Sequence, residues 1–224
     1  MRRVRGAELL RRAEGVRRAY ADAFGSGSGI GSESGSRSGS GFDSELPTRS
    51  GFGPRPQDED GGVVGCRDAA RYPDRLAGDV TRPGFVAALA LDGDEVLGFA
   101  TGWTTPFPFP SDRCHPQVAA CLGAARTAAW LCGGREIDEL AVIGAARGRG
   151  IGAALLDAVT ADAPDGRCWL LTPVRAEAAS AFYRHLGWTQ VTHPAPGGSG
   201  HAAFLGPRHP AGAAARLFSD PFTP

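Results

Sequence analysis

The 224-residue chain contains no lysine, no asparagine and a single methionine. All 24 of its basic side chains are therefore arginines, and 24 acids bring the net charge to zero. Without lysine there can be no phosphate-binding loop of the Gly-Lys-Ser/Thr type. Without net charge, the broad electrostatic signature of a nucleic-acid or anionic-membrane partner is missing as well. The same residue bias, with 33 glycines and 17 prolines, follows GC-rich coding and carries no function by itself. The five cysteines are an odd number and form no C-x-x-C pair, which argues against a disulfide framework and a ribbon-type zinc site. No metal is expected, and a reducing cytoplasmic location fits. No apolar run approaches the ~18 residues of a membrane span, and residues 1–24 are charged throughout, unlike a secretory leader.

What is present falls into distinct stretches. Val4, Leu9, Leu10, Val16, Tyr20 and Phe24 recur among arginines and acids at amphipathic-helix spacing. Between Gly25 and Gly41, 14 of 17 residues are Gly or Ser, too few apolar groups to offset the entropy of ordering a chain. Residues 25–61 are accordingly expected to be a flexible insertion. A short helix is expected over Cys66–Gly78, kinked or split at Pro73. Two apolar runs flank Asp92-Gly93-Asp94 and predict a hairpin from Phe85 to Thr104. Pro106, Pro108 and Pro110 then alternate with Phe107 and Phe109 as an extended loop. Helix is expected over Val118–Leu131, Gly150–Ala161 and Ala176–His185. Strands are expected over Glu136–Ile143, Cys168–Thr172, Trp188–Thr192 and Ala202–Leu205, and a tail over residues 206–224.

The informative stretch runs from Leu140 to Leu156, a strand passing through Arg147-Gly148-Arg149-Gly150-Ile151-Gly152-Ala153 into a helix. Such a turn offers free backbone N–H groups, and the helix end adds ~0.3–1 kcal/mol for an anionic neighbour, so phosphate or pyrophosphate is the natural ligand. Glycines at 148, 150 and 152 allow positive φ and close approach. A dinucleotide-binding Rossmann turn would also want an acid closing the next strand, and Leu170-Leu171-Thr172-Pro173 has none.

Paired with Ala179-Ser-Ala-Phe-Tyr-Arg-His-Leu-Gly-Trp188 downstream, this turn resembles the GNAT superfamily of acyl-CoA-dependent N-acetyltransferases. The resemblance covers residues 85–205. It implies an α/β (α+β) fold in a single domain, a mixed central sheet flanked by helices. Residues 1–24 would be its first helix and 62–205 its acetyltransferase core. It further implies that Leu140 and Val142 face the pantetheine arm of acetyl-CoA while Arg147, Gly148, Arg149, Gly150, Ile151, Gly152 and Ala153 hold the pyrophosphate. The resemblance assigns Tyr183 to general acid and, aligned on the turn, Glu136 to general base, with Asp138 on the same strand face and Glu139 on the other. Glu136 can equally be an ordinary strand-end charge. Where the family often carries Asn, this chain has Ala176.

Two functions follow from these residues. One is transfer of an acetyl group from acetyl-CoA to an amine of a small molecule or peptide, by a monomer or a homodimer. The other is a non-catalytic acyl-CoA-binding regulatory module. An amine with a pKa of about 10 is almost wholly protonated at pH 7, so the first needs a base. Trp103, Phe107 and Phe109 either line the acceptor pocket or roof the core, and the loop from Thr104 to Arg135 is expected to border that pocket. Cys114-His115 lacks metal-ligand spacing and an oriented partner for a nucleophile.

Overall fold

A computed structural model describes residues 1–24, 72–193 and 200–219. The Gly/Ser stretch expected to be a flexible insertion lies outside these residues, as does the first part of the helix expected from Cys66. The elements run β1 (Arg2–Val4), α1 (Gly6–Arg11), α2 (Ala13–Phe24), α3 (Tyr72–Asp79), β2 (Val86–Asp92), β3 (Glu95–Thr104), α4 (His115–Leu122), α5 (Ala124–Arg126), β4 (Arg135–Val142), α6 (Ile151–Thr160), β5 (Cys168–Pro173), α7 (Glu177–His185), β6 (Thr189–Gln190), β7 (His201–Leu205) and α8 (Gly212–Ser219). Seven strands form one sheet in the order β1-β2-β3-β4-β5-β7-β6, antiparallel everywhere except between β4 and β5. The expected single domain with a mixed sheet and flanking helices is what the chain forms.

Alternation along the strands sorts side chains onto two faces. One face carries Ala88, Ala100, Ile137, Leu170 and Phe204, covered by Leu155, Leu156 and Val159 of α6, by Phe182 and Tyr183 of α7 and by Leu186 just after it. The other carries two clusters. Leu89, Phe99 and Ala141 pack under Leu9, Val16, Tyr20, Tyr72 and Leu76 of the first three helices. Trp169, Ala203 and Leu205 pack under Val118, Leu122, Leu131 and Ala215. Each fully buried Leu or Phe among them contributes about 1.5–3 kcal/mol relative to exposure.

Four sequence expectations change. The first residues are not helical, because Arg2–Val4 pair with Ala87–Leu89 at the sheet edge. The helix expected over Val118–Leu131 breaks at Gly123, which has φ +76°, and resumes through α5 into a π-helical turn at Thr127–Leu131. The strand expected at Trp188–Thr192 shortens to two residues, because Trp188 turns into the core instead. Finally, the segment read as a tail forms α8, whose Ala215 is completely buried.

Candidate active site

Two interruptions of β4 shape the site. The pairing with β3 runs Gly102–Ile137 and then Thr101–Glu139, so Asp138 is an extra residue, a β-bulge. A bulge reverses the alternation beyond it. Glu139 therefore shares a face with Glu136, contrary to the strict alternation expected from sequence, while Leu140 and Val142 lie on the Ile137 face. The second interruption is on the other edge: β4 pairs with β5 only through Arg135–Cys168, Glu136–Trp169 and Ile137–Leu170. Past Ile137 the two strands separate. The Ile143 N–H donates to the Leu97 carbonyl of β3, so by alternation the Val142 backbone groups point toward that gap. Arg147 reaches the same edge, its Nε donating to the Val142 carbonyl at 3.2 Å and its Nη2 to the Ala23 carbonyl at 3.3 Å.

Beyond β4 the chain makes a single 3-10 turn, Gly144–Ala146, and enters the glycine-rich loop. Gly148 and Gly150 both have φ +73°, where an L side chain costs about 1–2 kcal/mol. A Cβ at either position would meet nothing within 4 Å, so backbone conformation, not crowding, calls for glycine there. Gly152 is small for another reason: its Cβ would lie 3.2 Å from the Phe182 ring. Gly150 caps α6 without a side-chain hydrogen bond to the helix, so the first-turn N–H groups at 151–153 are left for a ligand. These features fit a pyrophosphate. Arg149 is exposed beside the loop.

Tyr183 and Glu136 lie on opposite faces of the sheet. Tyr183 packs with Phe182, Trp188 and Phe204, at ring-centroid distances of 5.4, 6.0 and 5.8 Å. Glu136 is cross-strand neighbour to Trp103 and Trp169, both buried, and is itself only 3% exposed. Its Oε1 lies 3.0 Å from His115 Nε2, and its Oε2 is buried without a hydrogen-bond partner. His115 Nδ1 donates to the Asp112 carbonyl at 2.9 Å. Burial works against a charged imidazole, but the hydrogen bond and charge of Glu136 outweigh it and raise the His115 pKa above its ordinary value.

A cavity with about 50 Å³ of accessible space opens between the two clusters of this face. Its wall includes Arg113, Cys114, His115, Glu136, Asp138 and Leu171. Leu171 and Asp138 lie one step beyond the last β4–β5 pair, so the cavity borders the gap. Cys114 Sγ sits 3.9 Å from His201 Nε2 on the same wall. Asp138 is clamped by Arg113 at 2.6 Å and Arg75 at 3.4 Å, and Arg75 also holds Glu139 at 2.5 Å. Burial opposes the Arg75 charge, and the two carboxylates outweigh it, raising its pKa. Asp138 and Glu139 are thus ion-paired with arginines, although the Asp138 oxygens accept no hydrogen bond, whereas Glu136 Oε2 has neither a hydrogen bond nor an arginine against it among the described residues.

The loop before β4 does border this cavity, through 113–115. Of the three aromatics weighed for the pocket, Trp103 is buried beneath the Arg82 guanidinium, 4.4 Å from its ring centroid, and Phe107 is 79% exposed. Phe109 stands behind His115, with ring centroids 5.2 Å apart. His115, weighed in the sequence only with Cys114 for a metal or a nucleophile, gains its place here through Glu136. Nothing in its spacing marks it, because its partner lies 21 positions away across a loop. Burial raises the thiol of Cys168 to about 11 and that of Cys132 above its ordinary value, so neither is a ready nucleophile. Among the described residues, no cluster of three or more His, Cys, Asp or Glu is arranged to hold a metal, and no helix is long and apolar enough to cross a membrane.

Residues 83–190 match the sequence model of the acetyltransferase (GNAT) domain. That segment carries the GNAT acetyltransferase domain. Similar solved structures include an acetyltransferase from Thermus thermophilus, at 16% identity over 91% of this chain and 93% of that one, with a TM-score of 0.46. Another is Arabidopsis thaliana NAA60 in complex with acetyl-CoA, at 18% identity over 59% of this chain and 81% of that one, TM-score 0.38. A GNAT-family acetyltransferase from Bacillus cereus ATCC 10987 is 14% identical over 62% of this chain and 79% of that one, TM-score 0.41. No curated protein matches the sequence.

Proposed function

We propose that the chain is an acetyl-CoA-dependent N-acetyltransferase that acetylates an amine of a small molecule or peptide. The observation that carries this reading is the gap beyond Ile137–Leu170. It has a glycine-rich helix start on one side and a cavity with an unengaged buried carboxylate oxygen on the other. A module that only bound acyl-CoA would have no use for that oxygen.

In this reading the N–H groups of 148–153 and Arg149 hold the pyrophosphate, while Leu140 and Val142 line the pantetheine arm and direct the thioester into the gap. Glu136 accepts a proton from the acceptor ammonium. The freed amine attacks the thioester carbonyl, whose oxyanion is met by the backbone N–H at Val142. Tyr183 gives its phenolic proton to the departing sulfur.

Two measurements test the assignment. Calorimetry on Gly150→Glu places a carboxylate in the anion cradle, and CoA affinity is expected to fall at least tenfold in a folded protein. Thiol release from acetyl-CoA, followed across a panel of primary amines, is expected to rise above the amine-free rate for at least one of them. CoA binding without amine-stimulated thiol release would favour the binding module.

A further inference from the structure

Glu136 and His115 are each about 3% exposed, and they share the cavity wall. Because the Asp112 carbonyl can only accept, His115 Nδ1 carries a hydrogen. Across the 3.0 Å between Nε2 and Oε1 there must be one more, on the nitrogen or on the oxygen, since two bare lone pairs would repel in a buried site. We infer that the proton acceptor of this enzyme is not Glu136 alone but the His115–Glu136 pair, which rests with one proton shared between its members and accepts the amine's proton only after losing it. This rests on the acyl-transfer reading given above.

The reason is charge. While the pair holds its proton it is neutral as a whole, as imidazolium with carboxylate or as imidazole with carboxylic acid. A second proton on Oε2 would leave a net positive charge buried between Trp103 and Trp169. Without the first proton the pair is an anion, and the ammonium proton neutralises it.

Every other charged or titratable neighbour is otherwise occupied or too distant. Arg113 opposes protonation of His115 but is clamped to Asp138. The Asp112 carboxylate, 62% exposed, lies 3.4 Å from Nδ1. Arg75 serves Asp138 and Glu139, while His201 faces Cys114. Phe109 and Trp169 close the imidazole edges without charge.

The proton inventory closes. An ammonium acceptor loses two protons on becoming an amide. One accompanies the breaking C–S bond onto sulfur by way of Tyr183, and the other enters the pair, which is thereby returned to its resting state. That proton leaves for solvent before the next turnover. His115 touches no reacting atom and acts through Glu136, which makes it a positioning and proton-sharing residue.

The test has two arms. In the full-length protein with nitrogen-15 histidine, the imidazole signals that vanish in His115→Gln identify the residue. Their midpoint is expected above 6.5 in wild type and at least one pH unit lower in Glu136→Gln. Equal midpoints would overturn the pairing. The kinetic arm follows kcat/KM against pH with acetyl-CoA and the fastest amine of the panel. Below the pair's midpoint the wild-type profile is expected to be steeper than that of His115→Gln by one power of ten per pH unit. Parallel profiles would overturn the shared proton even if His115→Gln were slower throughout. Gln can still donate to Oε1, and matching melting curves separate this effect from loss of fold. Failure of every amine to turn over counts against the acyl-transfer reading, while the nuclear magnetic resonance result decides the pairing separately.

Discussion

At the scale of single residues, conformation and contact divide the work differently at neighbouring positions. Gly150 and Gly152 stand two apart at the start of α6, one as its cap and one in its first turn. The first is glycine because of its φ, the second because Phe182 of α7 fills the space a methyl group would take. Tyr183, next to that phenylalanine, is held by three aromatic neighbours, so removing its hydroxyl leaves the ring's packing in place. Tyr183→Phe is therefore expected to lower kcat by roughly 10²–10⁴ with CoA affinity unchanged by calorimetry, if the phenol delivers the sulfur's proton. Near-full turnover would assign that proton to solvent. The motif that marks Tyr183 was readable in the sequence because its own residues, 179–188, lie within ten positions. His115 was not, because its role arises only where a loop returns a side chain over a strand.

At the scale of elements, α8 shows how a histidine outside a helix can tie it to the rest of the fold. His209 bridges the last strand region to the π-helical turn. Its Nε2 donates to the Trp130 carbonyl at 2.8 Å, and its Nδ1 accepts from the Ala211 N–H at 3.1 Å. That ring is a neutral imidazole, and burial, foremost, keeps it so by lowering its pKa below 6.5. Its contribution to stability is complete above pH 6.5 and is lost as pH falls through 6.5 and past the lowered folded value. His115 has the opposite sign: its contribution is complete below 6.5 and is lost as pH rises through the raised folded value. Amide hydrogen exchange in 212–216 is expected to speed up between pH 7 and 5, beyond the intrinsic pH dependence, and to lose that excess in His209→Gln. An unchanged excess would remove His209 as the anchor. Composition had marked this segment as a tail because its prolines and small residues show no strong apolar period. Among its described residues, Ala215 is buried in the cluster under β5 and β7, and His209 ties the preceding turn to Trp130.

For the whole molecule, the order of strands and helices from Phe85 to Leu205 was legible because turn chemistry and apolar runs alternate there at short range. Three features were not legible. The N-terminal strand exists only because β2 offers it an edge. The bulge at Asp138 reverses a face without any sequence signal that strict alternation could provide. The β4–β5 gap depends on two strands that diverge after three paired positions, a property of the sheet and not of either segment. The glycine turn and the motif around Tyr183 could thus be read from the chain, whereas the cavity and the His115–Glu136 contact required its folding.

That gap has a kinetic consequence. The helices α6 and α7 cover one side of the sheet while the cavity opens on the other, so on the proposed acetyl-transfer reading donor and acceptor would enter by separate doors and neither would have to leave for the other to come in. Both can be aboard at once, and no acylated enzyme has to carry the group between two visits. Initial rates measured over a grid of acetyl-CoA and amine concentrations are accordingly expected to give double-reciprocal lines that intersect. Parallel lines, the mark of a ping-pong exchange, would mean that the two sides of the sheet are used in turn and not together.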